Sequence, residues 1–326
     1  MPASRSEDAK LARLAVLADE PPSSALTAEL RQLIKNSSHH VVAQAVQIAA
    51  KTRLAGLAAD MVAAFDRFLI DPLKSDKNCI GKIAIIDALN ELDYQPPDVF
   101  LKGVRYVQME PRWGKLEDSA APVRIGCANA LVRIDYRGTL PILVDLLIDE
   151  ARTVRIAAAQ SLAAHGSDSA LLLLRLKARV GDAKPEVIGE CLAGLMHVVP
   201  QESLTFVAEF LHSEDLVLAE SALLALGNSR QLEAFETLQA FWNKCPAAEL
   251  QETTLIAMSL LRLPAATDFL LSLLAEAPEP TAALALSALA IHSYDKRIQE
   301  RVAAVVDDRA SMVLSSLFKE TFYSSQ

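Results

Sequence analysis

Glycine is scarce in this chain, 11 of 326 residues, and aromatics make up only 5% although 52% of the sequence is apolar. The apolar mass is therefore mostly Ala, Leu, Val and Ile, side chains that suit close packing of helices. No apolar run of about 18 residues is free of charge, which excludes a transmembrane helix. The N-terminal MPASRSEDAK carries Glu7 and Asp8 and leads into an amphipathic segment, unlike a signal peptide. Four cysteines, Cys79, Cys127, Cys191 and Cys245, lie far apart with no CxxC pair. They read as buried thiols of a reducing, cytoplasmic compartment, forming neither disulfides nor a zinc site. The six histidines include no HExxH and no His-Glu pair, and GxxxxGK[ST], GxGxxG and GxSxG are all missing. No catalytic residue, metal or cofactor is therefore expected. Basic residues are short in one region: 201–290 holds twelve acids against Arg230, Lys244 and Arg262. That imbalance repels phosphate backbones and weighs against nucleic acid as a partner.

What is present is a repeat. PVRIGCANALVRI, from Pro122, and TVRIAAAQSLAAH, from Thr153, both carry Val-Arg-Ile with Leu eight positions after the Val. Looser copies continue the series, so that Leu131, Leu162, Leu195, Leu226, Met258 and Leu289 recur every 31 to 33 residues. Upstream, Ile48 and Leu89 take the same role at spacings of 41 and 42. A second helical pattern lies between successive landmarks, as in TLPILVDLLID and ATDFLLSLLAEA, and Pro141, Pro185, Pro200, Pro264 and Pro280 fall near helix starts. Each unit is thus a helix pair, and since one pair cannot bury both its faces, neighbours must stack.

The roughly 31-residue pair, with Val-Arg opening its second helix and Asp six residues before a base, resembles HEAT repeats, most closely the short HEAT-like repeats named after phycobilisome lyases. The resemblance covers about Ser23 to Ser293. It implies an all-α, right-handed α-solenoid of antiparallel helix pairs: an armadillo-like stack of about eight repeats at 23–293, a capping helix at 1–22, and capping helices with a frayed tail at 294–326. It also implies that Asp76 with Lys82, Asp118 with Arg124 and Asp149 with Arg155 form a structural ladder along the stack. Asp182 keeps the acid but Ile188 stands where the base should be, and the pattern fades beyond it.

The two long spacings place insertions at the same turn of adjacent repeats, as loops 71–78 and 110–118. In register, these should protrude side by side, and clustered insertions commonly mark a binding face. Lys74, Lys77, Arg105, Glu110, Arg112, Trp113 and Lys115 are the candidate partner-binding residues, with Trp113 central because a large rigid ring with one N–H suits an interaction hot spot. Folding back of Trp113 onto the flanking helices is the equally weighted alternative. Asn129 and Gln160 offer polar lining nearby.

The reading this supports is a non-enzymatic scaffold that binds a protein or peptide through its concave face and the paired loops, with no membrane attachment. Resemblance suggests two alternatives. A bilin lyase-like chaperone or ligase would show a chromophore-sized apolar cleft. A HEAT-like DNA-lesion glycosylase would need an acid such as Asp118 beside Trp113 in a basic cleft, against the acidic C-terminal half.

Overall fold

The computed structural model describes residues 2–244 and 248–323, so Cys245 and the last three residues lie outside it. The chain divides into two compact units, Met1–Ser161 and Leu162–Gln326. The division falls within a helix.

The first unit contains α1 (Pro2–Leu17), α2 (Ser24–Ile34), α3 (His39–Lys51), α4 (Ala58–Phe68), the single turn α5 (Pro72–Ser75), α6 (Ile80–Glu91) and α7 (Asp98–Gly103). A hairpin of β1 (Met109–Arg112) and β2 (Lys115–Asp118) follows, then α8 (Ala121–Arg133), α9 (Thr139–Leu146) and α10 (Arg152–His165). Pairs α2/α3, α4/α6 and α7/α8 pack internally, while α3, α6 and α8 stack on one another and α1 closes the row against α3. Serine side chains start two of these helices: Ser23 accepts from the Leu26 amide at 3.1 Å and Ser38 from the Val41 amide at 3.4 Å.

The second unit contains α11 (Asp168–Val180), α12 (Pro185–Val198), α13 (Pro200–Ala208), α14 (Leu216–Gly227), α15 (Leu232–Trp242), α16 (Glu249–Leu260), α17 (Pro264–Glu276), α18 (Glu279–Leu289), α19 (Lys296–Arg309) and α20 (Met312–Tyr323). Here α12, α14, α16, α18 and α20 form one continuous row, each packed on the next. The segment expected to cap the chain is itself a pair, α19/α20, that continues this stack. Pro185, Pro200 and Pro264 stand in the first turn of their helices, where the missing N–H breaks no bond.

The repeat landmarks are the core. Leu89, Leu131, Leu162, Leu226, Met258 and Leu289 are fully buried, with Ile48 and Leu195 nearly so. Each lies on the face its helix turns towards its neighbours. The period also appears in the backbone, because the turn after a second helix passes through the left-handed region at Arg53, Asp93, Asp135, Gly166, Arg230 and Arg262. Scarce glycine has a use at crossings. A Cβ on Gly227 would lie 2.5 Å from the Ala257 carbonyl oxygen of α16, so only a hydrogen there allows the two helices their approach.

Two expectations need correction. The segment 110–118 is not a loop but most of an antiparallel β-hairpin, with Met109 opposite Asp118 and Arg112 opposite Lys115. Segment 71–78 folds largely as α5 and a 3₁₀ turn at Lys77–Cys79.

Candidate functional site

The site is built on the two insertions of the first unit. Polar side chains join them beneath the surface. Glu110 is only 4% exposed, and one of its oxygens, Oε1, accepts from the Asn78 amide at 2.7 Å, Gln108 Nε2 at 2.7 Å and Ser119 Oγ at 2.6 Å. Gln108 Nε2 also donates to the Asp76 carbonyl at 2.9 Å. Burial alone would raise the Glu110 carboxyl, but the hydrogen bonds from Ser119, Gln108 and the Asn78 amide outweigh it and hold the group below its ordinary range. Glu110 therefore ties the hairpin to the first insertion. It does not present its carboxylate to a partner, contrary to its placement among the binding residues.

Below this lies the ladder. Asp76 and Lys82 form a fully buried ion pair at 2.8 Å, and the Asp76 carboxylate also accepts from the Gly81 and Lys82 amides at 2.7 and 3.0 Å, capping α6. The Lys82 ammonium stands 5.3 Å from the centre of the Tyr106 ring. Arg124 reaches Asp118 at 2.6 Å and the Tyr106 carbonyl at 2.8 Å, and forks onto both oxygens of Asp149 at 2.9 and 3.0 Å, linking its own repeat to the next. Arg155 donates to the carbonyls of Asp149 and Glu150 at 2.7 and 3.0 Å. In the second unit Lys177, from the preceding helix, stands 2.8 Å from Asp182 and supplies a base that Ile188 cannot. Asp118 accepts from the Gln108 and Ala120 amides as well as Arg124. Burial opposes these bonds without overcoming them, and the Asp118 carboxyl is lowered. It is committed to the fold and does not stand free as a catalytic acid.

Above this base the hairpin is open to solvent. Its two-residue turn is Trp113-Gly114, with φ of 49° and 80°. Positive φ at both central positions is the type I′ signature, which suits the strand twist and favours Asn-Gly. Trp113 is 96% exposed, so it packs on neither flanking helix. Strand alternation puts Met109, Pro111 and Leu116 on one face, with Met109 and Leu116 43% and 65% exposed. The other face carries Arg112, 3.3 Å from Glu117, and Lys115. Around this platform, Lys74 pairs with Asp71 at 2.9 Å, Lys77 is exposed, and Arg105 lies 3.4 Å from Asp145. Asn129 accepts from Ser161 Oγ at 3.0 Å.

Spacing alone did not mark Met109 and Leu116, the exposed Leu73 on the first insertion, or Ile70 just before it. The signal was available: MEPR and KLED flank a Trp-Gly pair as short strands flank a tight turn.

The three described cysteines, Cys79, Cys127 and Cys191, are buried and are not reactive groups. Burial lifts Cys79 to about 11 and Cys191 to about 12, and raises Cys127 further. Among the described residues no group of three or more His, Cys, Asp or Glu is arranged to hold a metal ion, and no helix is long and apolar enough to cross a membrane.

Stacked helix pairs with an inter-repeat Asp–Arg ladder define an α-helical repeat protein. Within it, residues 112–176 match the model of the HEAT-repeat family. No curated protein matches the sequence. Among solved structures it is similar to an engineered protein (19% identity, covering 95% of this chain and 92% of that one, TM-score 0.38). It is also similar to human deoxyhypusine hydroxylase in complex with glycerol (20%, 83% and 98%, 0.32) and to the CpcE–CpcF complex of phycocyanin lyase from Nostoc (17%, 81% and 94%, 0.31).

Proposed function

We propose that this chain is a non-enzymatic HEAT-repeat scaffold that docks a protein or peptide partner on the hairpin of its first unit. Trp113 is the anchor, Met109 and Leu116 extend the apolar contact, and Arg112 and Lys115 form a basic rim with Lys74, Lys77 and Arg105. The observation that carries this reading is the placement of Trp113. A bulky residue with positive φ is strained by roughly 1–3 kcal/mol, and a ring 96% exposed recovers none of that by burial. Neither the turn nor the core calls for tryptophan, so its contact is sought outside the chain. The buried Glu110 network holds the hairpin in one orientation and lowers the ordering cost of binding.

Trp113→Asn separates contact from fold, because Asn-Gly is the preferred type I′ pair. Tagged wild type, Trp113→Asn and Arg112→Ala are compared by quantitative affinity capture. The expected result is a partner retained by wild type and lost with Trp113→Asn at unchanged melting temperature. An identical captured set from all three proteins rejects the hairpin as the docking site.

A further inference from the structure

The second unit contains a cavity of about 480 Å³ between the turn that joins α16 to α17 and the start of α19. Its charged lining is mostly basic, three arginines against one aspartate. Arg262, from a segment (201–290) with a large acidic excess, meets Arg297 and Arg301 of α19 in this one cavity. Arg301 is held by Asp268 at 2.7 Å. Among the described residues, the guanidinium groups of Arg262 and Arg297 have no carboxylate partner. Asp295, the acidic residue of the lining, is occupied in capping α19, accepting from the Arg297 amide at 2.9 Å.

The remaining lining has two characters. Leu263, Pro264 and Ile298 are apolar, while Tyr294 is 68% exposed and His292 is buried at 4%. His292 Nε2 lies 3.0 Å from the Ser259 carbonyl. A carbonyl oxygen only accepts, so Nε2 carries the hydrogen and Nδ1 is the remaining polar atom of the ring. Arg262 sits at φ 55° in the turn after α16, a backbone position that favours glycine.

We propose that this cavity is a binding site for a phosphomonoester with a compact apolar or aromatic body. The phosphoryl oxygens meet Arg262 and Arg297, whose planar forks match that geometry, and the body rests against Leu263, Pro264, Ile298 and the Tyr294 ring. The volume lies within the range of small-ligand pockets. The site is independent of the hairpin, lies on other repeats, and takes a different class of ligand.

Isothermal titration with phenyl phosphate tests the assignment, with benzoate and benzyl alcohol as the carboxylate and neutral counterparts. Two variants are used: Arg262→Gly, which relieves the left-handed residue and leaves the fold intact, and Arg297→Gln. Wild type is expected to bind phenyl phosphate saturably, with affinity falling as sodium chloride rises from about 50 to about 300 mM. The double variant is expected to bind about tenfold or more weakly with an unchanged circular dichroism spectrum. Equal binding by wild type and the double variant, or no saturable binding by wild type at about 10 mM ligand, overturns the proposal. Benzoate bound as tightly as phenyl phosphate overturns the phosphate assignment.

Discussion

Replacing Glu110 by alanine removes the one carboxylate that joins the two insertions, and the cost can be worked from its three donors. Gln108 Nε2 keeps the Asp76 carbonyl at 2.9 Å, and Ser119 Oγ keeps the Gln108 carbonyl at 3.2 Å. The Asn78 amide has no second acceptor among its hydrogen bonds and is left orphaned. One orphaned donor and the loss of charge-assisted bonds amount to about 2–4 kcal/mol, whereas Glu110→Gln retains an oxygen at the same place and costs about 1 kcal/mol. Because the chain has two compact units, a single global unfolding free energy is a poor readout, and residue-resolved hydrogen exchange is the better one. The Asn78 and Ser119 amides should exchange about 30-fold faster or more in Glu110→Ala, with the second unit unaffected. The pH dependence supplies a second check. The folded carboxyl is lowered below its unfolded value, so folding favours the ionised form, and its stabilisation is complete above the unfolded pKa of about 4.3. It fades as pH falls through the lower folded value, where Glu110 protonates. Asp118 behaves alike, so the difference between wild type and Glu110→Gln isolates Glu110: the variant should lose less protection on acidification. Unchanged exchange at Asn78 in Glu110→Ala would refute the reasoning that this carboxylate is part of the fold.

Gly227→Ala forces a methyl group to within 2.5 Å of the Ala257 carbonyl, which belongs to a helix backbone and cannot swing away; residue-resolved hydrogen exchange should show a loss of about 1–3 kcal/mol in the second unit and none in the first. Lys82→Ala leaves the Asp76 carboxylate buried without its cation, and chemical denaturation should show a loss of about 3–5 kcal/mol. In the Asp76→Asn, Lys82→Met double variant much of that loss should return. Iodoacetamide at pH 8 should label Cys79, Cys127 and Cys191 only after denaturation, since burial keeps all three as thiols; mass spectrometry of the native protein checks this.

The 31-residue period was legible from the sequence because every repeat repeats the same local problem: two short helices whose apolar faces are satisfied only by the next pair. Leu131, Leu162 and Leu195 announce their burial by spacing alone, and Asp118 with Arg124 was readable because the acid and base lie within one turn. The pair of Lys177 and Asp182 was not, although only five residues separate them, because the base comes before the acid, on the preceding helix, and nothing in periodicity says which of several nearby bases an acid will meet.

At the candidate site the division is sharper. Spacing located the insertions, because extra length in an otherwise fixed period has to leave the stack. Which side chains turn inward there was decided only in three dimensions. Glu110 and Arg112 are two residues apart on one strand face, yet the first lies over Asn78 and Ser119 and is buried while the second lies past the edge of the body and is exposed. Trp113 is exposed for a related reason: the type I′ turn carries its ring beyond the last residue that could cover it. Local pattern determines where a helix or hairpin forms, whereas burial of a polar group depends on donors contributed by distant segments. Only the folded chain brings those together.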